Sequence, residues 1–301
     1  MTLMNIVILA IVQGLAELLP ISSSAHVVVA EKLLGLDPSS PPMTLLLVML
    51  HTGTMFAVIV YFWRQWRDTY FQSLAAFKTF AVRIVVATVL TGIVGEAIKI
   101  LIEKTLLRSV PHGEIEDLFG HLEFIAPALA AAGVLILIAG LRERKAAAAA
   151  MAGTPGAAPA PRDDGNDAPN LRHAGIIGVV QGLCLPFRGF SRSGATISTG
   201  MLLGVAKARA ETFSFALAVV LTPPVVLREV LRLLHAERGG EATGLAAAAM
   251  LSLLGAVVAF IAGLVALKWL SRWLEGGRWY LFGMYCLCAA VAVAYLHVAG
   301  Y

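Results

Sequence analysis

Gln13-Gly14-Leu15-Ala16-Glu17-Leu18-Leu19-Pro20-Ile21-Ser22-Ser23-Ser24-Ala25-His26 sets an amide, a carboxylate, three hydroxyls and an imidazole inside apolar sequence. Such groups are costly at membrane depth unless they face a cavity or one another, so the stretch marks a site. A second stretch repeats its grammar: Gln181-Gly182-Leu183-Cys184-Leu185-Pro186, then Phe187-Arg188-Gly189-Phe190, then Ser191-Arg192-Ser193-Gly194-Ala195-Thr196. Each predicts an apolar helix, a proline that stops it, and a hydroxyl-rich run that caps the next helix. The two breaks are expected to meet and form one site.

The setting is a membrane. The 301 residues are 58% hydrophobic and 14% charged, with a mean hydropathy of +0.81; a soluble domain is about a quarter charged. The net charge of +4 is modest and forms no basic patch on soluble sequence, which excludes a nucleic-acid partner. Cys184, Cys286 and Cys288 lie in apolar stretches without the second pair or the histidines of a zinc site, so core packing is expected for all three. Met1 to Ala10 has no basic leader region and no cleavage site, and reads as a helix of the mature chain.

Outward from the first break, residues 2–19 predict one helix and 25–34 a short second one. Such a broken pair is a re-entrant hairpin, tolerated at membrane depth where protein or water satisfies its backbone. After a turn at 37–42, spans are predicted at 43–63, 82–102 and 125–141, each near the roughly 20 residues that cross a bilayer. Glu96, Lys99 and Glu103 are spaced to pair along one helix face, and Glu114, Glu116 and Asp117 make the following loop acidic. Arg142-Glu143-Arg144-Lys145 closes the last of these spans. The Ala/Pro/Gly/Asp-rich segment to Asn170 has no apolar period and reads as a disordered linker.

The pattern then restarts, with a broken pair at 174–185 and 193–205 and spans at 211–231, 245–267 and 279–299. Pro223-Pro224 is expected to kink the first of these, and Trp279, Tyr280, Tyr285 and Tyr295 are candidate interface anchors. The fold expectation is therefore an all-α polytopic membrane protein in a single membrane domain, 1–301. Residues 1–141 form a first repeat, 142–170 the linker and 171–301 a second repeat. Each repeat is a re-entrant helix pair plus three transmembrane helices. Three is odd, so the repeats have inverted topology and share a site near the midplane. Lys and Arg divide about two to one between the sides, which puts Arg64, Arg67, Arg142, Lys207 and Arg209 in the cytoplasm and both termini outside.

Gln13 and Glu17 are four apart, so one helix face presents both to the break. A buried carboxylate beside hydroxyls suits a general base or an oxygen ligand for a hard cation. Ser22, Ser23 and Ser24 exceed what one cap requires, and His26 beside them suits proton transfer. A lone membrane histidine, without such neighbours, would read as a structural hydrogen bonder. Arg192 opens a helix whose free N–H groups attract anions, and its planar fork matches phosphate oxygens. Ser191, Ser193 and Thr196 add donors, and Gly189 and Gly194 allow close backbone approach. A fixed cation at this depth needs an anion, which Glu17 supplies in the empty site and a phosphate in the filled one. The chemistry thus points to a lipid with a phosphate or diphosphate head.

The same residues resemble the bacitracin-resistance type of undecaprenyl-diphosphate phosphatase. The family's (E/Q)-x-x-x-E motif corresponds to Gln13 and Glu17, followed by Pro20, Ser22, Ser23 and His26. Its P-G-x-S-R-S-x-x-T motif is matched at Gly189, Ser191, Arg192, Ser193 and Thr196. Leu50-His51-Thr52-Gly53-Thr54-Met55-Phe56-Ala57-Val58 and Phe213-Ser214-Phe215 also look like family segments, so the resemblance spans nearly the whole chain. It implies hydrolysis of undecaprenyl diphosphate to the monophosphate on the periplasmic side of the bacterial inner membrane. A divalent cation (Mg2+ or Ca2+) is implied too, and the reaction recycles the lipid carrier for peptidoglycan; Glu17 is expected either to hold that cation or to activate the attacking group.

The chain departs from the pattern in places. Pro186 stands two residues further from Gly189, with Phe187-Arg188 between, and Gln13 takes the amide option. Catalytic roles are expected for Glu17, His26, Ser22, Ser23 and Arg192, and substrate binding for Gln13, Ser24, Gly189, Ser191, Ser193 and Thr196. Ser22, Ser23 and water all stay open as the attacking group. The partners are a polyprenyl diphosphate and membrane lipids, and a homo-oligomer is left open. The rival is a polyprenyl-phosphate flippase, since broken helices in inverted repeats are common transporter architecture.

Overall fold

A computed structural model describes residues 2–37, 40–105, 118, 120–152, 169–238, 245–275 and 277–300, and these are helical with short connections. The helices are α1 (Leu3–Leu18), α2 (Ser23–Leu33), α3 (Pro41–Tyr70), α4 (Leu74–Thr105) and α5 (Leu122–Met151), then α6 (Leu171–Cys184), α7 (Arg192–Leu202), α8 (Lys207–Arg238), α9 (Leu245–Glu275) and α10 (Trp279–Val298). Six of them, α3, α4, α5, α8, α9 and α10, are long and apolar enough to cross a membrane. At 1.5 Å per residue, α1, α2, α6 and α7 are about 16–24 Å long, short of a ~30 Å hydrocarbon core.

Both predicted breaks are present. Leu19 leaves α1 in an extended conformation, Ile21 N–H donates to the Leu19 carbonyl (2.8 Å), and Ser22 caps α2 by accepting from Ala25 N–H (3.4 Å). In the second half α6 ends at Cys184, and Ser191 caps α7 by accepting from Gly194 N–H (3.2 Å). Gly189, at φ +99°, turns the loop between them; a Cβ there would sit 2.5 Å from the Ile125 carbonyl oxygen.

The short helices are held by long ones. α1 packs on α9 and α2, α6 packs on α4 and α7, α5 packs on α10 and α7, and α3 lies between α9 and α8. Gly14 makes the first of these contacts possible, because a Cβ there would meet the Ala259 carbonyl oxygen at 2.7 Å. One core cluster joins Leu18, Leu19, Phe62, Ile136, Ile197, Phe213, Phe215 and Trp279 around the two breaks. A smaller one joins Ile6, Leu9, Val27, Leu46 and Ala259.

Several expectations change. The spans run well past their apolar centres; the first is Pro41–Tyr70 rather than 43–63, because the flanking charged residues continue the helix. α5 continues to Met151, through the first ten residues expected as linker, since Ala146–Ala150 is the strongest helix former available. Residues 153–168 and the acidic loop with Glu114, Glu116 and Asp117 lie outside the described residues. α8 continues through Pro223 and Pro224. Trp279 is a core residue, fully buried, with Nε1–H donating to Ser198 Oγ at 2.9 Å. Cys184 and Cys286 are buried as expected, but Cys288 is exposed on α10, where a thiol suits a lipid-facing position. Lys99 and Glu103 do pair, at 3.7 Å.

Candidate active site

Glu17, in the last turn of α1, is the hub. Its Oε1 accepts from Arg192 Nη2 at 2.6 Å, across 175 positions of sequence. Its Oε2 accepts from Ser23 Oγ at 2.5 Å and from Gln13 Nε2 at 3.1 Å. His51 of α3 brings Nε2 to 3.7 Å from the same oxygen. The pair is largely enclosed, with side-chain exposures of 13% for Glu17 and 25% for Arg192. A cavity opens beside it, lined by Glu17, His51, Thr54, Arg192 and Thr222 with the apolar walls Met55, Val58, Phe215 and Val219. Its lining thus joins charged and hydroxyl groups to apolar side chains.

The other residues singled out in the sequence surround this pair in two ways. Ser24 Oγ accepts from Gly189 N–H (3.1 Å), and Ser193 Oγ donates to the Leu19 carbonyl (3.3 Å), so these hydroxyls stitch one break to the other. Thr196 Oγ1 donates to the Arg192 carbonyl (2.8 Å) and meets Ser214 Oγ at 2.6 Å. Ser191 caps α7, and Ser22 caps α2. Among the hydroxyls near Arg192, then, each has a protein partner, and Ser23 is the one bound directly to the carboxylate. His26 stands apart from the cavity lining. Its Nδ1 lies 2.7 Å from the Ser22 carbonyl oxygen and its Nε2 2.7 Å from the Tyr285 hydroxyl.

Three contributors escaped the sequence reading. His51 and Thr54 sit in a run singled out only for its resemblance, although an imidazole within a span is itself a signal. Tyr285 reads as an anchor because nothing in its own segment shows that α10 reaches α2. Phe187 and Arg188, the extra loop residues, line a separate hollow with Ile102, Phe124 and Ile125.

Among the described residues no three His, Cys, Asp or Glu side chains converge, and both Glu17 oxygens already accept from Arg192, Ser23 and Gln13. These residues do not form a cage for a resident metal.

Over residues 6–292 the chain matches the family model described as bacitracin resistance protein BacA. The chain belongs to this family. Its relatives include a protein of Acinetobacter baylyi named undecaprenyl-diphosphatase 2, 54% identical over 290 residues and 95% of each chain. An undecaprenyl-diphosphatase of Desulfosudis oleivorans is 32% identical over 93% of each chain. One of Parabacteroides distasonis is 29% identical over 94% of each. The matched residues cover both breaks, α3, α4, α5, α8 and α9, and α10 as far as residue 292.

Proposed function

We propose that this chain is an integral membrane phosphatase that hydrolyses undecaprenyl diphosphate to undecaprenyl phosphate and inorganic phosphate, recycling the carrier for envelope polymers. The observation that carries the reading is the convergence of Ser23, Glu17 and Arg192: a hydroxyl, a base and a phosphate-matching cation within one hydrogen-bonded group. The names borne by relatives across the full length of the family agree with it.

The diphosphate enters against Arg192, whose guanidinium exchanges part of its contact with Glu17 for phosphoryl oxygens. Ser23 Oγ, already donating to Glu17, attacks the terminal phosphorus while its proton passes to the carboxylate. The Oγ–P bond forms, the bridging O–P bond breaks, and undecaprenyl phosphate leaves. Water then cleaves the phosphoserine. Gln13 holds Glu17 on the reactive side, and His26 handles a proton beside the same hairpin. Ser22, Ser24, Gly189, Ser191, Ser193 and Thr196 fix the backbones that carry the reacting groups. The isoprenoid lies along Met55, Val58, Phe215 and Val219. A divalent cation arriving with the substrate would be held by the substrate's own oxygens rather than by these residues, and would supply neutralisation of its charge.

Architecture and placement follow the same reading. The halves 1–141 and 171–301 are inverted repeats within one membrane domain, with α1–α2 and α6–α7 as re-entrant hairpins. Exchanging the halves turns the α1–α9 packing into α6–α4 and leaves α5–α10 and α3–α8 paired as before, which supports a repeat; the odd number of long helices in each half is the argument for its inversion. The basic ends of α3 and α5 face the cytoplasm of a bacterial inner membrane, and the site opens to the periplasmic side. The discriminating experiment is phosphate release from undecaprenyl diphosphate by purified protein in detergent. Release is expected; no release, with bilayer-dependent movement of the lipid instead, would favour a flippase, which no comparison supports.

A further inference from the structure

Ser22 is the non-glycine residue with a positive φ among the described residues, at φ 70° and ψ 91°. L-residues visit this region rarely and at a cost, so the surroundings must hold it. The strain sits one residue before Ser23, whose Oγ contacts Glu17, so the Ser22 backbone angle sets where that hydroxyl points. What holds Ser22 is visible in three contacts. Its Oγ caps α2. Cys286 Sγ reaches the Pro20 carbonyl at 3.5 Å. Its own carbonyl oxygen, an acceptor only, lies 2.7 Å from His26 Nδ1.

That last contact fixes the chemistry of the ring. A carbonyl oxygen needs a donor, so Nδ1 carries the hydrogen and the neutral ring presents Nε2 as an acceptor. Nε2 lies 2.7 Å from the Tyr285 hydroxyl, and the planes of the two rings are nearly parallel, 11° apart. A phenol can donate to the neutral ring and accept from the protonated one. Tyr285 and Cys286 are consecutive on α10, so one step of that helix touches both ends of the break between α1 and α2. α10 is in turn fixed by its packing on α5.

We infer that Tyr285 is a positioning residue for this reaction. Its hydroxyl holds His26 Nε2, which keeps Nδ1–H on the Ser22 carbonyl, maintains the strained Ser22 backbone and so aims Ser23 at Glu17 and the phosphorus. When the ring becomes charged, the same hydroxyl turns from donor to acceptor at Nε2 and keeps the contact. The inference rests on the proposed roles of Ser23 and His26, and the experiment separates the two.

Full-length protein in lipid nanodiscs is compared as wild type, Tyr285→Phe, His26→Ala and the double variant. Each is assayed for phosphate release from undecaprenyl diphosphate, and wild type and Tyr285→Phe for the His26 ring-nitrogen resonances of isotope-labelled histidine. Tyr285→Phe keeps the ring and its packing while removing one hydroxyl. The expected result is a kcat lower by about tenfold with KM within about twofold, the loss of one positioning hydrogen bond. The His26 Nε2 resonance moves, and the double variant is no slower than His26→Ala. Wild-type kcat with an unmoved resonance overturns the inference, and so do losses that multiply in the double variant. If His26→Ala alone works at the wild-type rate, the role proposed for His26 fails and the inference falls with it; a slow His26→Ala beside a Tyr285→Phe variant of wild-type kcat overturns the inference alone.

Discussion

The two breaks share a grammar but divide the chemistry. In the first, Gln13 reaches one turn along α1 to Glu17, and the amide serves the carboxylate. In the second, Gln181 is followed one turn later by Leu185, and its amide goes instead to Thr91 of α4 at 3.4 Å. The first break keeps a carboxylate and a hydroxyl bound to it; the second keeps a cation, and its hydroxyls cap or tie down backbone. Neither break is a site alone. The Glu17–Arg192 contact is where the two breaks join, and the proposed reaction uses the first as its acid-base side and the second as its anion-holding side.

The largest effect expected from this division is at the hydroxyl. Ser23→Ala should lower phosphate release by at least about ten-thousandfold, as removal of a nucleophile does. Ser22→Ala should instead cost about 1 kcal/mol of stability as a lost cap, with measurable turnover left. Equal losses in both, measured on purified protein, would erase the distinction between the two serines.

Next come the charges. Arg192→Ala or Glu17→Ala should reduce release by about a thousandfold, the scale of a lost electrostatic contact to the transition state. Either change also leaves a partner uncompensated, costing about 2–3 kcal/mol, below the fully buried value because a quarter of the Arg192 side chain is exposed. The charge exchange Glu17→Arg with Arg192→Glu should regain most of that stability and none of the activity, since the cation would then sit on the wrong break. Thermal unfolding and phosphate release together check this. Turnover in the exchanged protein would mean that the halves are chemically interchangeable.

The smallest predicted difference is between the two glutamines. Gln13→Leu should lower kcat by about tenfold through the lost hydrogen bond to Glu17. Gln181→Leu should leave release within about twofold of wild type, because its Oε1 already lacks a partner in the described structure and an apolar group of similar shape is nearly neutral there. Parallel kinetics on the two variants test it.

Much of this was legible in the sequence because the membrane makes polar residues conspicuous. Glu17 and Arg192 stand out against apolar neighbours, and each demands an opposite charge, so their meeting follows from cost alone. Pro20 and Pro186 set the breaks by removing a donor. The less legible residues are those whose meaning depends on a distant partner. His51 lies in a helix whose own pattern is that of an ordinary span, and its position relative to Glu17 depends on α1 crossing α3. Tyr285 looks like any interfacial tyrosine until α10 is placed beside Pro20. Ser191, Ser193 and Thr196 read as ligand donors by type, yet local geometry turns each of them to backbone or to Ser214, which hydroxyls on short helices commonly do.

The most direct measurement is a double-mutant cycle on purified protein, following phosphate release from undecaprenyl diphosphate for Glu17→Ala, Arg192→Ala and both together. If the two breaks build one site, each single variant and the double fall to the same floor. A single variant that releases phosphate at close to the wild-type rate, or losses that simply multiply in the double, would mean that the carboxylate and the guanidinium act apart.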